Sequence, residues 1–97
     1  MISEINSIWI VGGGIAGTST ACVLKQTFPH KDIRLIEGKS IPTVGVGEST
    51  LSQINSFLQL LNIQDKDFMK ECDASYKLSI RFENWKTENS GSFHYPF

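Results

Sequence analysis

Apolar residues near the start of the chain fall into two short runs, Ile8-Trp9-Ile10-Val11 and Ile33-Arg34-Leu35-Ile36. Runs of this length bounded by polar or turn residues predict β-strands over residues 7–11 and 32–36. Between them Ala16, Thr20, Val23, Leu24 and Phe28 recur at helical spacing, which predicts a helix over residues 15–28, ended by Pro29-His30. A strand, a crossover helix and a second strand in this order make a right-handed βαβ unit with parallel strands. Residues 38–48 read as a loop. Leu51, Ile54, Phe57, Leu58 and Leu61 then form an apolar stripe, predicting a helix from Ser49 or Thr50 to Leu61 with Asn62 near its end. Asp65-Lys66-Asp67 opens a shorter helix with Phe68, Met69 and Cys72 on one side. Residues 75–85 alternate, Tyr76, Leu78, Ile80 and Phe82 against Lys77, Ser79, Arg81 and Glu83, which predicts a strand with one polar face. Residues 87–92 read as a polar loop, followed by an aromatic cluster, Phe93-His94-Tyr95-Pro96-Phe97.

The turn between the first strand and the helix is Gly12-Gly13-Gly14-Ile15-Ala16-Gly17, a G-x-G-x-x-G sequence in a βαβ context. Gly12 permits a sharp turn, Gly14 lets the backbone approach a pyrophosphate, and Gly17 lets the helix pack closely on the strands. The helix beginning at Ile15 and Ala16 aims its first amides at the phosphates. Glu37 lies twenty residues beyond Gly17, at the end of the second strand, where a carboxylate accepts hydrogen bonds from an adenosine ribose. These residues predict an adenine dinucleotide site in an α/β, Rossmann-like fold, and by themselves leave NAD and FAD both open.

Composition narrows the classes. The net charge is −1, with ten acidic and nine basic residues interspersed, so no basic stripe points to nucleic acid or a membrane surface. The apolar run near the N-terminus is far shorter than the ~20 residues that span a bilayer, and Glu4 stands where a secretory signal carries positive charge. The expectation is a cytoplasmic protein. Cys22 and Cys72 are fifty residues apart, which fits neither a zinc site nor a C-x-x-C pair. Both are expected as free thiols, Cys22 as a small buried apolar group, and no metal is expected. Two parallel strands cannot by themselves cover both faces of a sheet, and the aromatic cluster has no element after it to pack on. The chain therefore reads as the N-terminal fragment of a larger enzyme, with its oligomeric state open.

Later motifs sharpen the reading. The loop Gly45-Val46-Gly47-Glu48-Ser49-Thr50, the run from Phe68 through Cys72-Asp73-Ala74-Ser75-Tyr76-Lys77-Leu78, the pair Asn84-Trp85 and the closing Tyr95-Pro96-Phe97 occur in a recognisable order. Together, across nearly the whole chain, they resemble the N-terminal region of flavin-dependent halogenases of the tryptophan halogenase type. The resemblance implies an incomplete Rossmann-like FAD-binding fold of the glutathione-reductase-like type. It also implies FAD as cofactor, reduced by a separate flavin reductase, with halide and oxygen as co-substrates. In that family hypohalous acid travels through an internal tunnel to a lysine beside an electron-rich aromatic substrate of the tryptophan, indole or phenol kind. The matching lysine is Lys77, and residues 45–50 match the strap along the flavin.

Each position also has a plainer reading. By pattern, Lys77 is a lysine on the polar face of a strand, and burial separates that from a catalytic role, since a desolvated lysine is a better nucleophile. Glu48 either favours the N-terminus of the following helix or belongs to the strap. The family places a His and a Phe around its proline to stack on the substrate. Here Pro96 and Phe97 match, Tyr95 takes the place before the proline, and His94 precedes it. Either His94 or Tyr95 lines the aromatic pocket, or the cluster is ordinary core. A flavin monooxygenase of the same fold, without halide chemistry, and an inactive fragment are the alternatives.

Overall fold

The computed structural model describes residues 4–97. Of the lead-in expected over residues 1–6, residues 1–3 lie outside the described residues. The chain divides into two compact units, one ending at Asp65 and the other running from Lys66 to Phe97.

In the first unit β1 (Ser7–Val11) and β2 (Asp32–Ile36) pair in parallel, with Ser7 opposite Asp32 and Val11 opposite Ile36. Both strands have the predicted bounds. Helix α1 (Ile15–Thr27) connects them and packs on both. The half-buried residues of α1 include Gly17, Ala21 and Leu24, and with the half-buried C-cap Phe28 they are spaced four, three and four apart along one face. Ala16 and Thr20, expected on that face, are exposed, and so is Cys22. Val23, Leu24 and Phe28 are half-buried as expected, while toward the N-terminus Gly17 and not Ala16 makes the close approach. The Thr18 hydroxyl donates to the Gly14 carbonyl at 2.9 Å and that of Thr20 to Ala16 at 2.7 Å, so both satisfy themselves on the helix backbone. Pro29 stops the helix, and Lys25 Nζ ties the following turn by donating to the carbonyls of Pro29 and Lys31 at 3.0 and 3.2 Å.

Paired residues of parallel strands share a face, so Ile8, Ile10, Ile33 and Leu35 lie on the side of α1. Trp9, Val11, Arg34 and Ile36 lie on the other, where Trp9 is 58 % exposed and Arg34 stands over its ring at 5.0 Å.

Helix α2 spans Ile54–Leu60, shorter than the predicted helix. The stripe counts Leu51 as a helical position, but Leu51 is exposed and residues 52–53 form a turn, with the Ile54 and Asn55 amides reaching back three residues. Ser49, Thr50 and Ser52 favour turns over helix, and Leu51 has no packing to offset that preference. At the other end Asn62 adopts a left-handed φ of 56°. Its amide donates to Gln59, and that of Ile63 to Leu58, at 3.0 and 2.8 Å, which is a Schellman cap. Leu58, beneath this cap, is 4 % exposed and is the one buried hydrophobic side chain among the described residues.

The second unit holds most of α3 (Asp65–Glu71) and a hairpin of β3 (Ser79–Glu83) and β4 (Ser92–Pro96). Helix α3 ends in the same type of cap, with Asp73 at φ 48° and the Ala74 amide donating to Met69 at 2.9 Å. Phe68 and Met69 are half-buried as expected, while Cys72 is exposed. The predicted strand over 75–85 is reduced to β3, and the closing aromatic cluster is its antiparallel partner β4. Pairing stops where the partner stops. Pro96 has no amide to donate, and the last cross-strand bond is Phe97 N–H to the Leu78 carbonyl at 3.1 Å. At the turn end, Asn84 takes φ 50°, donates its amide to the Gly91 carbonyl at 2.8 Å and accepts from the Gly91 amide through its side chain.

Candidate functional site

The glycine turn carries the residues expected to bind the cofactor. Gly12 has a φ of +121°, a conformation side chains rarely adopt, and its amide donates to the Ile36 carbonyl at 2.8 Å, extending the β1–β2 ladder into the turn. A Cβ on Gly17 would lie 1.8 Å from the Gly12 carbonyl oxygen and 3.4 Å from Leu35 Cδ1, so the absence of a side chain brings α1 onto the turn. Gly14 is the N-cap of α1, and a Cβ there would meet nothing within 4 Å. This is the open side of the turn. No side chain caps the helix and no acid lies in its first turn, so the leading amides around Ile15 and Ala16 face that opening without a side-chain competitor.

Glu37 follows β2 directly and its side chain lies against Gly13, which brings the carboxylate to the glycine turn. Gly13 was missed by the fingerprint, which leaves that position free; the signal was a third consecutive glycine where the motif needs two. An exposed opening at Gly14, a helix start and a carboxylate at the strand end fit the diphosphate and ribose of an adenine dinucleotide.

Gly45, Val46, Gly47, Glu48, Ser49 and Thr50, expected to form the strap, are exposed and form no helix or strand. The Val46 amide reaches the Val44 carbonyl at 3.0 Å. Since α2 begins at Ile54 and has no acid in its first turn, Glu48 does not serve that helix's dipole, and the plainer reading of Glu48 falls away. Among the described residues no cluster of His, Cys, Asp or Glu is placed to hold a metal, and no helix is long and apolar enough to cross a membrane.

In the second unit Lys77 precedes β3 and is exposed, with Nζ 4.5 Å from the centre of the Phe97 ring. A cation over a ring face is held by about 0.5–1 kcal/mol at exposed sites. The hairpin brings Lys77 and Phe97 together and separates the two candidate rings beside them. Tyr95 pairs with Ile80 and His94 with Arg81, so their side chains leave opposite faces. Tyr95 falls on the face of Phe82 and Phe93, whose rings stack at 5.0 Å; Trp85 meets Phe82 edge-on at 5.1 Å. His94 falls on the polar face, its Nδ1 2.9 Å from the Ser79 hydroxyl. Ser79 was not among the predicted site residues. Its position two beyond Lys77 on an alternating strand was the available clue.

The chain is similar to proteins of known kind. A 7-chloro-L-tryptophan 6-halogenase of Kutzneria sp. (strain 744), KtzR, is 48 % identical over 89 residues, which are 91 % of this chain and 17 % of that protein. The tryptophan 7-halogenase RebH of Lentzea aerocolonigenes is 42 % identical over 95 % of this chain and 18 % of its own length. The crystal structure of the tryptophan 6-halogenase SttH from Streptomyces toxytricini superposes with a TM-score of 0.82 at 41 % identity, covering 95 % of this chain and 19 % of that one. The chain thus spans about a fifth of the length of the proteins it matches. The family profile for tryptophan halogenases matches residues 7–97, through the glycine turn, the strap, Lys77 and Phe97, and the chain belongs to that family.

Proposed function

We propose that the protein carrying this chain is an FAD-dependent halogenase of an electron-rich aromatic ring, with tryptophan as the first candidate substrate. The observation that carries this reading is the unbroken family match over residues 7–97, which joins the dinucleotide turn to the strap and to Lys77 in one sequence. FAD, reduced by a separate flavin reductase in the cytoplasm, would when bound supply the electrons that activate oxygen, and the activated oxygen is the oxidant of halide. Gly12, Gly14 and Gly17 shape the turn for its diphosphate, the amides at Ile15 and Ala16 face the phosphates, and Glu37 accepts from the ribose hydroxyls. Residues 45–50 lie along the flavin.

Lys77 Nζ receives the hypohalous acid. As ammonium it holds the acid by a hydrogen bond. As amine it exchanges a proton for the halogen and releases water, then returns to amine as halogen passes to the ring carbon and the ring loses its proton. Residues 4–97 leave Lys77 exposed, so the desolvation this chemistry favours falls to the remainder of the protein. Phe97 and Tyr95 offer ring surfaces for stacking, and His94, on the other face of β4, lies with the polar side of the hairpin.

The test uses the full-length protein with FAD, a flavin reductase, chloride or bromide, and tryptophan, with products read by mass spectrometry. A halogenated product that requires halide supports the proposal. A hydroxylated product without halide dependence points instead to a monooxygenase. Lys77→Ala is expected to abolish halogenation while reduced flavin still consumes oxygen, and halogenation at the parent rate removes Lys77 from the mechanism.

A further inference from the structure

We infer that Gly13 is a positioning residue for Glu37, and that it sets the grip on the adenosine ribose only by leaving room for the Glu37 side chain. The inference rests on the FAD reading above. A Cβ at Gly13 would lie 2.1 Å from Glu37 Oε2, 2.7 Å from Glu37 Cβ and 3.1 Å from Glu37 Cδ. The carboxylate oxygen can rotate away from such a clash, but the Glu37 Cβ cannot, because it is fixed by the backbone.

That backbone is pinned on both sides of the contact. Val11 pairs with Ile36, and Gly12 N–H donates to the Ile36 carbonyl at 2.8 Å, immediately before Gly13 and Glu37 respectively. Separating the two residues means giving up the last rung of the parallel ladder. Any side chain at position 13 therefore displaces Glu37 from the turn. The three consecutive glycines have three different reasons. Gly12 needs its positive φ, Gly14 faces open space, and Gly13 faces the acid.

The experiment measures the Kd of FAD and of FMN, which lacks the adenosine, by flavin fluorescence in the full-length protein. Gly13→Ala is expected to raise the Kd for FAD roughly tenfold or more, the loss that accompanies one charge-assisted hydrogen bond, and to leave that for FMN unchanged. In a Glu37→Gly background, which removes the obstructing Cβ, adding Gly13→Ala is expected to change nothing further. An unchanged FAD Kd in Gly13→Ala overturns the inference, as does an equal loss for FAD and FMN. If Gly13→Ala does not fold, restored folding in the double variant supports the inference, and continued failure overturns it by assigning Gly13 a structural role of its own. Glu37→Ala keeps the Cβ and tests the ribose reading separately. FAD affinity unchanged in that variant rejects the ribose contact itself, whereas a loss there without a loss in Gly13→Ala rejects only the role of Gly13.

Discussion

Replacing Gly17 with Ala tests whether the close approach of α1 to the glycine turn holds the unit together. The new Cβ would sit 1.8 Å from the Gly12 carbonyl oxygen and 2.9 Å from its carbon, against 3.4 Å for the ordinary contact it would make with Leu35 Cδ1. The obstructing atoms belong to backbone, so helix and turn must part by more than an ångström. In a close-packed interior such a displacement costs about 1–3 kcal/mol. Alanine's better helix propensity returns up to about 1 kcal/mol, and less near a helix N-terminus. The clash wins, with a net loss of about 2 kcal/mol. Hydrogen exchange of the α1 amides in the full-length protein without flavin reads this directly, with rates expected to rise about thirtyfold at 1.4 kcal/mol per decade. Gly14→Ala is the control. Its Cβ meets nothing within 4 Å and its φ of −74° suits alanine, so α1 exchange stays within a few-fold of the parent while FAD affinity falls. Equal exchange rates in the two variants would refute the packing argument.

Leu58→Ala removes the buried side chain under the α2 cap and is expected to cost about 2–5 kcal/mol, seen as a lowered thermal midpoint. Asn62→Ala puts an ordinary side chain at φ 56° and is expected to loosen the end of α2 by about 1 kcal/mol, while Asn62→Gly keeps the cap; amide exchange at Ile63 distinguishes them. Phe82→Ala deletes the stacked pair with Phe93 and the edge contact with Trp85, each about 0.5–1.5 kcal/mol beyond burial, and is expected to accelerate exchange across the hairpin. Tyr95→His moves the residue before Pro96 to the family pattern and is expected to raise the preference for tryptophan over a phenol; an unchanged preference removes Tyr95 from the substrate site.

Local rules carried most of the first unit. The strands Ser7–Val11 and Asp32–Ile36, their parallel pairing and the role of Gly12 follow from hydrophobic runs, a glycine turn and crossover handedness, all set by neighbours in the chain. The same is true of Asn62, whose tolerance for a left-handed φ marks the end of α2. Tertiary structure decided where periodicity meets a partner. The glycine motif already marked Gly17 as the close approach, but that Ala16 and Thr20 are left exposed depended on how α1 seats on the Gly12 carbonyl, which the helical pattern does not show. Alternation ran over residues 75–85, yet β3 covers only Ser79–Glu83, because a strand extends only as far as its partner offers amides and carbonyls. Which of His94 and Tyr95 shares a face with Phe82 is likewise a property of register, invisible until β4 is paired. Glu37 was legible as an acid at a set distance from a glycine turn. That its side chain rests on Gly13 is a contact between residues twenty-four positions apart, made only when two strands lie side by side.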